Sequence, residues 1–386
     1  MTGVRTGLEQ LVAGRPRGER TRVGLVTNPT GVLPDLTPSA TALLRSGFRV
    51  TALFSPEHGL RGTGQAGSGE SEDESEAEGG GDRGGGPATD PATGLPVFDT
   101  YLRTGGALDE LVASAGVDVL VFDVSDVGAR FYTYVWTMYD LMGTAARLGL
   151  PFTVLDRPNP VGGAVCEGPP LDPAFASFVG RAPLPVRHGL TTGEIARFVN
   201  REIGAELDVV PLLGWRRERY FDETGLPWVM PSVNMPTLDT ALVYPGTGLF
   251  EGTNVSEGRG TTRPFELIGA PYVDGRFAEE LDALGLPGVR FRDTWFAPVF
   301  GKHAGTPVRG VQLHVTDRTA LRPVFTGVSM LHVLRALYSG DFACEPFLDL
   351  LWGSDSLRLA LTSGRDPRDL CGSPGRPGDH AEQLYV

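Results

Sequence analysis

Four short apolar runs, each ending in polar loop residues, fix most of what this chain can fold into. Arg22-Val-Gly-Leu-Val-Thr27, Phe48 to Phe54, Val117-Asp-Val-Leu-Val-Phe122 and Phe152-Thr-Val-Leu155 are rich in β-branched and aromatic residues, which suit the crowded surface of a sheet. Helical stretches separate them. Thr37 reads as an N-cap, with Pro38 at the first helical position and Gly47 as the stop. Leu108 to Ala115 and Tyr132 to Leu148 read as further helices. Thr191 and Glu194 form a capping box, and Ile195, Phe198, Val199 and Ile203 behind it fall on one helical face. Strands that are apolar throughout and alternate with helices predict βαβ units and a parallel sheet covered on both faces.

After about residue 205 the pattern changes. Pro and Gly become frequent, and Trp215, Tyr220, Trp228, Tyr244 and Phe250 stand in loop-like sequence. The run from Trp228 to Glu266 is polar and Gly-rich; a loop of that length inside a compact domain usually carries function. A strand at Val308 to Val315 and helices near Val328 to Tyr338 and Ser354 to Thr362 predict a smaller α+β domain. Gly67 to Gly86 is built almost wholly from Gly, Ser, Glu and Asp. It cannot bury enough apolar area to offset its ordering entropy, and is expected to be a disordered acidic insertion.

Composition narrows the functions open to such a chain. With 47 acidic against 34 basic residues the net charge is −13, which argues against a nucleic-acid partner. No run of about 18 apolar residues occurs, so no membrane span is expected. The N-terminus lacks a signal-like apolar stretch, and Cys166, Cys344 and Cys371 are far apart, so a reducing cytoplasm is the expected location. Lys302 is the only lysine among the 34 basic residues, which reads as compositional bias. Nothing in the sequence sets an oligomeric state.

The ends of the four strands carry the chemistry. They run into Asn28-Pro-Thr-Gly31, Ser55-Pro-Glu-His-Gly59, Asp123-Val-Ser-Asp-Val-Gly-Ala-Arg130 and Asp156-Arg-Pro-Asn-Pro160. In a parallel sheet these ends emerge on one edge, where ligands bind. Pro29, Gly31, Pro158 and Pro160 read as turn formers; Glu57, His58, Asp126 and Arg130 read as site residues. No GxGxxG, GxxxxGK[ST], GxSxG or HExxH is present, so nucleotide, serine-hydrolase and zincin chemistry have no motif. His58, His188, His303 and His314 are too scattered for a metal signature. His58 with Asp123 and Asp126 is the one metal-binding set considered, and neither metal nor cofactor is expected. Carboxylates, arginines and aromatics remain, a set that suits a carbohydrate. A pair of carboxylates supplies the acid and the base or nucleophile of glycoside cleavage. The candidates are Glu57, Asp123, Asp126, Glu167, Glu251 and Glu257.

The sequence resembles the bacterial exo-β-N-acetylmuramidases of the NamZ type, formerly a domain of unknown function. The matching stretches are residues 24–31, 54–62, 121–134, 155–160, 167–169, 187–189, 231–239, 244–266 and 310–317, spread over nearly the whole chain. The resemblance implies an enzyme that removes N-acetylmuramic acid from the non-reducing end of peptidoglycan fragments. It implies a Rossmann-like α/β domain, placed here at residues 1–205, and a C-terminal α+β domain, placed at 206–386, with a cleft between them. It gives Glu57 the leading catalytic role. Glu257 is the expected second carboxylate, with Asp126 as its rival. Asn28, His58, Arg61, Asp123, Arg130, Tyr132, Asn159, Glu167, His188, Asn234, Glu251, Asn254 and Arg259 are the expected contacts of a muramic-acid-containing saccharide. Among them Arg61, Arg130 and Arg259 are candidates for its lactyl carboxylate. Two other readings compete: a non-catalytic binder of muramyl sugars, and a metal-dependent hydrolase of the lactyl or peptide part. The insertion at Gly67–Gly86 departs from the family, whose segment is shorter there.

Overall fold

The apolar runs become neighbouring strands of one sheet. The computed structural model describes residues 3–14, 20–65, 87–379 and 381–385, so the acidic insertion lies outside the described residues. The strands are β1 (Arg22–Thr27), β2 (Arg49–Ser55), β3 (Ala88–Thr89), β4 (Pro96–Asp99), β5 (Val119–Asp123), β6 (Phe152–Leu155) and, beyond a separate hairpin of β7 (Glu167–Pro170) and β8 (Pro185–Arg187), β9 (Leu207–Val210). Their order across the sheet is β3-β4-β2-β1-β5-β6-β9. All pairings are parallel except that of β3 with β4. The chain builds outward from β1 to β2 and β4, then crosses back to β5, β6 and β9. This is a doubly wound, Rossmann-like arrangement with its switch point between β1 and β5. Val26, Phe54 and Phe122 face one core while Leu25, Leu53 and Val121 face another, so both faces are covered.

The helices of this domain are α1 (Gly7–Ala13), α2 (Ser39–Arg45), α3 (Gly105–Ala115), α4 (Tyr134–Leu148) and α5 (Thr192–Ile203). α5 opens on the capping box seen in the sequence: Thr191 N donates to Glu194 at 3.0 Å, and the Thr191 hydroxyl accepts from Glu194 N. α1 opens on the same device, Thr6 with Glu9, although no apolar periodicity announces it. α2 departs from expectation, because Pro38 rather than Thr37 precedes its first residue and makes no side-chain cap.

The smaller C-terminal domain packs an antiparallel sheet against helices. The sheet comprises β10 (Leu267–Ala270), β11 (Val289–Phe296) and β12 (Val308–Val315), with β12 in the centre. The helices are α6 (Leu238–Thr247), α7 (Arg276–Ala283), α8 (Pro323–Leu337), α9 (Phe347–Trp352) and α10 (Ser356–Thr362). The run from Trp228 to Glu266, expected as loop, therefore contains α6. Its Tyr244-Pro-Gly-Thr end has poor helix propensity, but Thr240 to Thr247 are all buried and the Thr237 hydroxyl caps the first turn. Burial overrides propensity here. Gly246 is required where α6 crosses α8, because a Cβ there would lie 1.8 Å from the Pro323 carbonyl oxygen. One continuous apolar core joins Phe54 and Phe122 of the parallel sheet to Phe291, Leu334 and Trp352 of the C-terminal domain. Among the described residues no helix is long and apolar enough to cross a membrane.

Buried charge ties these layers together. Arg157, just past β6, holds Asp123 with two hydrogen bonds of 2.6 and 2.9 Å, and also donates to the Val32 carbonyl. Both partners are almost without exposure. Tyr385, at the other end of the chain, donates to Asp156 at 2.5 Å and accepts from Leu212 N at 2.8 Å. Removing one partner of a buried pair strands the other charge. Arg157→Met should therefore cost about 3–5 kcal/mol in denaturant unfolding, with part recovered in Arg157→Met/Asp123→Leu. A single-variant loss below about 1 kcal/mol would mark the pair as solvent-screened.

Candidate active site

The ends of β2 and β5 open into a cleft of about 300 Å³ between the two domains. Glu57 and His58 come from the turn after β2, and Phe131, Tyr132 and Thr133 from the segment leading into α4. The C-terminal side brings Tyr244 from α6, then Glu251, Glu257, Arg259 and Phe265 from the turns that follow, and Lys302 from the loop after β11. Ser232, Asn234, Met235, Tyr101, Phe178, Val179, Phe347 and Leu351 complete the lining.

On one wall Glu57 is only 6% exposed and accepts a 2.5 Å hydrogen bond from the Thr133 hydroxyl. The backbone turns sharply just beyond it. His58 takes a left-handed φ of 69°, a conformation few residues other than glycine adopt. Contact between its Nδ1 and the Gly64 carbonyl at 2.7 Å, and an edge-to-face approach to Tyr134, hold it there.

On the facing wall Arg259 lies over the Phe265 ring, 5.0 Å from its centroid. Its Nη2 donates to Glu251 at 2.8 Å and its Nε stands 3.4 Å from Glu257 Oε1. Lys302 Nζ meets the other oxygen, Glu257 Oε2, at 3.1 Å. Burial raises the pKa of Glu251; Arg259 opposes that shift and Glu257 adds to it. For Arg259 burial works downward, but Glu251 and Glu257 together outweigh it and hold the guanidinium charged. Burial also raises the pKa of Tyr132 and Tyr244 well above the usual phenol range, so both present neutral hydroxyls. The two walls thus offer unlike carboxylates. Among the described residues Glu57 has no ion pair and one short hydroxyl contact, whereas Glu257 sits between two cations.

Seven of the residues singled out in the sequence meet in this cleft: Glu57, His58, Tyr132, Asn234, Glu251, Glu257 and Arg259. The others are placed elsewhere, and each has a structural occupation. Asp123 is spent on Arg157. Asp126 lines a small adjoining pocket; its Oδ2 accepts from Gly128 N at 2.6 Å and meets His188 Nε2 at 3.0 Å. Leu190 N donates to His188 Nδ1, so the imidazole proton is on Nε2 and points at Asp126. Arg130 is fully buried and donates to the carbonyls of Pro169, Leu184 and Leu351, and burial pulls its pKa down to about 9. Gly353, at φ 84°, makes room for it, since a Cβ there would lie 2.7 Å from the guanidinium. Asn28 closes the end of β1 by accepting from Thr30 N and its hydroxyl. Asn159 bonds Leu190 O and Val161 N, Glu167 pairs with Arg187, and Asn254 accepts from Tyr272 and Ala343 N. Arg61 is 62% exposed and reaches Asp90 at 3.5 Å. His58, Asp123 and Asp126 therefore do not converge on one metal position. Of the loop aromatics, Trp215 and Phe250 are packed in the interior and only Tyr244 reaches the cleft.

Two polar contributors are absent from the candidates read in the sequence. Thr133 lies in the Arg130-Phe-Tyr-Thr-Tyr134 motif, and a hydroxyl beside a string of aromatics is the only signal it gives. Lys302, taken for compositional bias, stands on Glu257.

Comparison with known proteins places the chain in a family. The description "Exo-beta-N-acetylmuramidase NamZ, N-terminal" matches residues 23–239, and "Exo-beta-N-acetylmuramidase NamZ, C-terminal" matches residues 242–373. The chain is 45% identical over 377 residues to the peptidoglycan β-N-acetylmuramidase NamZ of Bacillus subtilis (strain 168), covering 96% of this chain and 87% of that one. Crystal structures of two DUF1343 family proteins from Bacteroides fragilis NCTC 9343 superpose on it. The first has a TM-score of 0.83 at 32% identity, covering 96% of this chain and 95% of that one. The second has a TM-score of 0.73 at 30% identity, covering 96% and 93%. Fold and cleft are those of a two-domain α/β glycosidase. The chain belongs to the NamZ family of exo-β-N-acetylmuramidases.

The Thr133–Glu57 contact generates a test of the site itself. A hydrogen bond between neutral groups is worth about 0.5–1.5 kcal/mol, so Thr133→Val should lower kcat/KM about 2- to 13-fold while its thermal melt stays close to wild type. Unchanged turnover would detach Thr133 from the reaction.

Proposed function

We propose that this cleft cleaves the glycosidic bond of a terminal N-acetylmuramic acid residue, with Glu57 as general acid and Glu257 as its ionised partner. The observation that carries this reading is the contrast between the two carboxylates across one cleft. Glu57 passes its proton to the glycosidic oxygen as the bond to the anomeric carbon breaks. Glu257, paired with Arg259 and Lys302, supplies the electron pair on the other side, either to a water proton or directly to the anomeric carbon. Tyr244, Phe265, Phe178 and Phe347 give the sugar apolar faces to lie against. The activity named for the Bacillus subtilis relative supports the choice of substrate. A muramyl-sugar-binding protein would need no such pair of carboxylates, and nothing in the cleft favours that reading.

The lactyl carboxylate distinguishes muramic acid from glucosamine. Arg259 is the arginine best placed to read it, because among the described residues its Nη1 has no hydrogen-bond partner while Nε and Nη2 face Glu257 and Glu251. Arg61 and Arg130 are committed elsewhere.

Glu57→Gln should lose about 10²-fold or more in kcat on a natural disaccharide, and clearly less on an aryl glycoside whose leaving group needs little protonation. Equal losses on both would remove Glu57 as the acid. Glu257→Gln should lose heavily on both substrates, whereas Asp126→Asn should keep most turnover in whatever fraction folds. For Arg259→Met, kcat/KM for the muramic glycoside should fall about 10- to 150-fold further than for its glucosamine counterpart. Equal losses would assign the lactyl group to other donors.

A further inference from the structure

Of the 34 basic residues in this chain a single one, Lys302, is lysine. It is also the residue whose ammonium is wrapped most tightly. Nζ lies 2.8 Å from the Phe250 carbonyl, 3.2 Å from that of Glu251, 3.3 Å from that of Val255 and 3.1 Å from Glu257 Oε2. All four acceptors belong to one stretch of eight residues that turns around the ammonium. An ammonium carries three N–H bonds, so four acceptors already compete for three protons and none is left for a ligand. A guanidinium could not take this place. Its donors spread over a flat fork, whereas the acceptors here converge on one point.

We infer that Lys302 is a positioning residue of the hydrolytic reaction: it curls the 250–257 segment around its ammonium and fixes the Glu257 carboxylate in the cleft without touching the saccharide. This rests on the reading of Glu257 given above. The groups around that carboxylate divide the work. Arg259 faces Oε1 and is shared with Glu251, while among the described residues Lys302 alone faces Oε2. Glu57 and His58 line the same cleft from the turn after β2. Without Lys302 the carboxylate keeps a counter-charge but loses the contact that sets its rotation. A misplacement of about 1 Å at a reacting group is enough to cost on the order of 10²-fold in rate.

The test keeps the charge and changes the geometry. Lys302→Arg should lower kcat about 10- to 100-fold, with KM for an aryl muramic glycoside held within about twofold, since no substrate contact is removed. Should that variant fail to fold, the native protein offers a second route. Lys302 is its only side-chain amine, so reductive methylation of the folded wild type leaves the charge and takes away N–H donors. Methylation at Lys302, followed by peptide mass, should track a loss of kcat at constant KM. The Lys302→Arg protein, with only its α-amino group to methylate, should show no further loss. Wild-type kcat in Lys302→Arg or in the dimethylated protein overturns the inference. A rise in KM at unchanged kcat overturns it too, making Lys302 a substrate ligand. Glu257→Gln separates the two levels of argument. If it is inert while Lys302→Arg is fully active, only the positioning role fails. If it retains full turnover, the reading of Glu257 fails with it.

Discussion

A buried guanidinium holds the two sides of the cleft in register. Arg130 follows β5, yet its donors reach the β7–β8 hairpin at Pro169 and Leu184 and the end of α9 at Leu351. Its own carbonyl accepts from the Trp136 indole at 2.6 Å, so the first turn of α4 is fastened at the same point. None of these acceptors is a carboxylate, and burial accordingly lowers the pKa. Phe178, between β7 and β8, and Phe347, at the start of α9, stack at 6.2 Å with their planes 14° apart. The aromatic wall they form is therefore anchored to the segment that delivers Tyr132 and Thr133.

Against that fixed frame, charge is distributed unevenly, and the unevenness is what makes a cleft chemical. The C-terminal wall concentrates two carboxylates and two cations within one loop system, while the wall after β2 offers a lone carboxylate beside a hydroxyl. A buried charge without a partner is costly, and Arg259 and Lys302 give Glu257 two. Glu251 plays a different part. Burial favours its neutral form, and its contact with Arg259 steadies the guanidinium over Phe265.

Much of this was legible in the sequence, for physical reasons. Buried parallel strands must be apolar throughout, so β1, β2, β5 and β6 announced themselves, and the polar residues after them fell on one edge. The same reasoning could not separate ligands from braces. Asp123, Asn159, Glu167 and Arg130 are the residue types a sugar site uses, and also the types that satisfy buried carbonyls and charges. What distinguishes them is burial and partner, and neither is written in a linear pattern. α6 was hidden because Pro245 and Gly246 speak against a helix, and only packing against α8 explains it. The short strands β9 and β10 carry too few residues for an alternation to show.

The switch point between β1 and β5 is where proteins of this topology usually seat a ligand. Here the chain has narrowed it to a small pocket lined by Thr30, Ser125, Asp126 and Arg157. Ser125 N donates to the Thr30 hydroxyl at 2.9 Å, Arg157 lies on Asp123, and a Cβ on Gly31 would stand 2.1 Å from Thr27 Oγ1. With that seat narrowed, the groups proposed to react sit farther out, at the end of β2 and against a second domain. The parallel sheet by itself is then an unfinished enzyme. A gene divided between β9 and α6 would leave Glu57 and Thr133 on one product and Glu257, Arg259 and Lys302 on the other. Neither half alone would then hold both of the carboxylates that line the cleft.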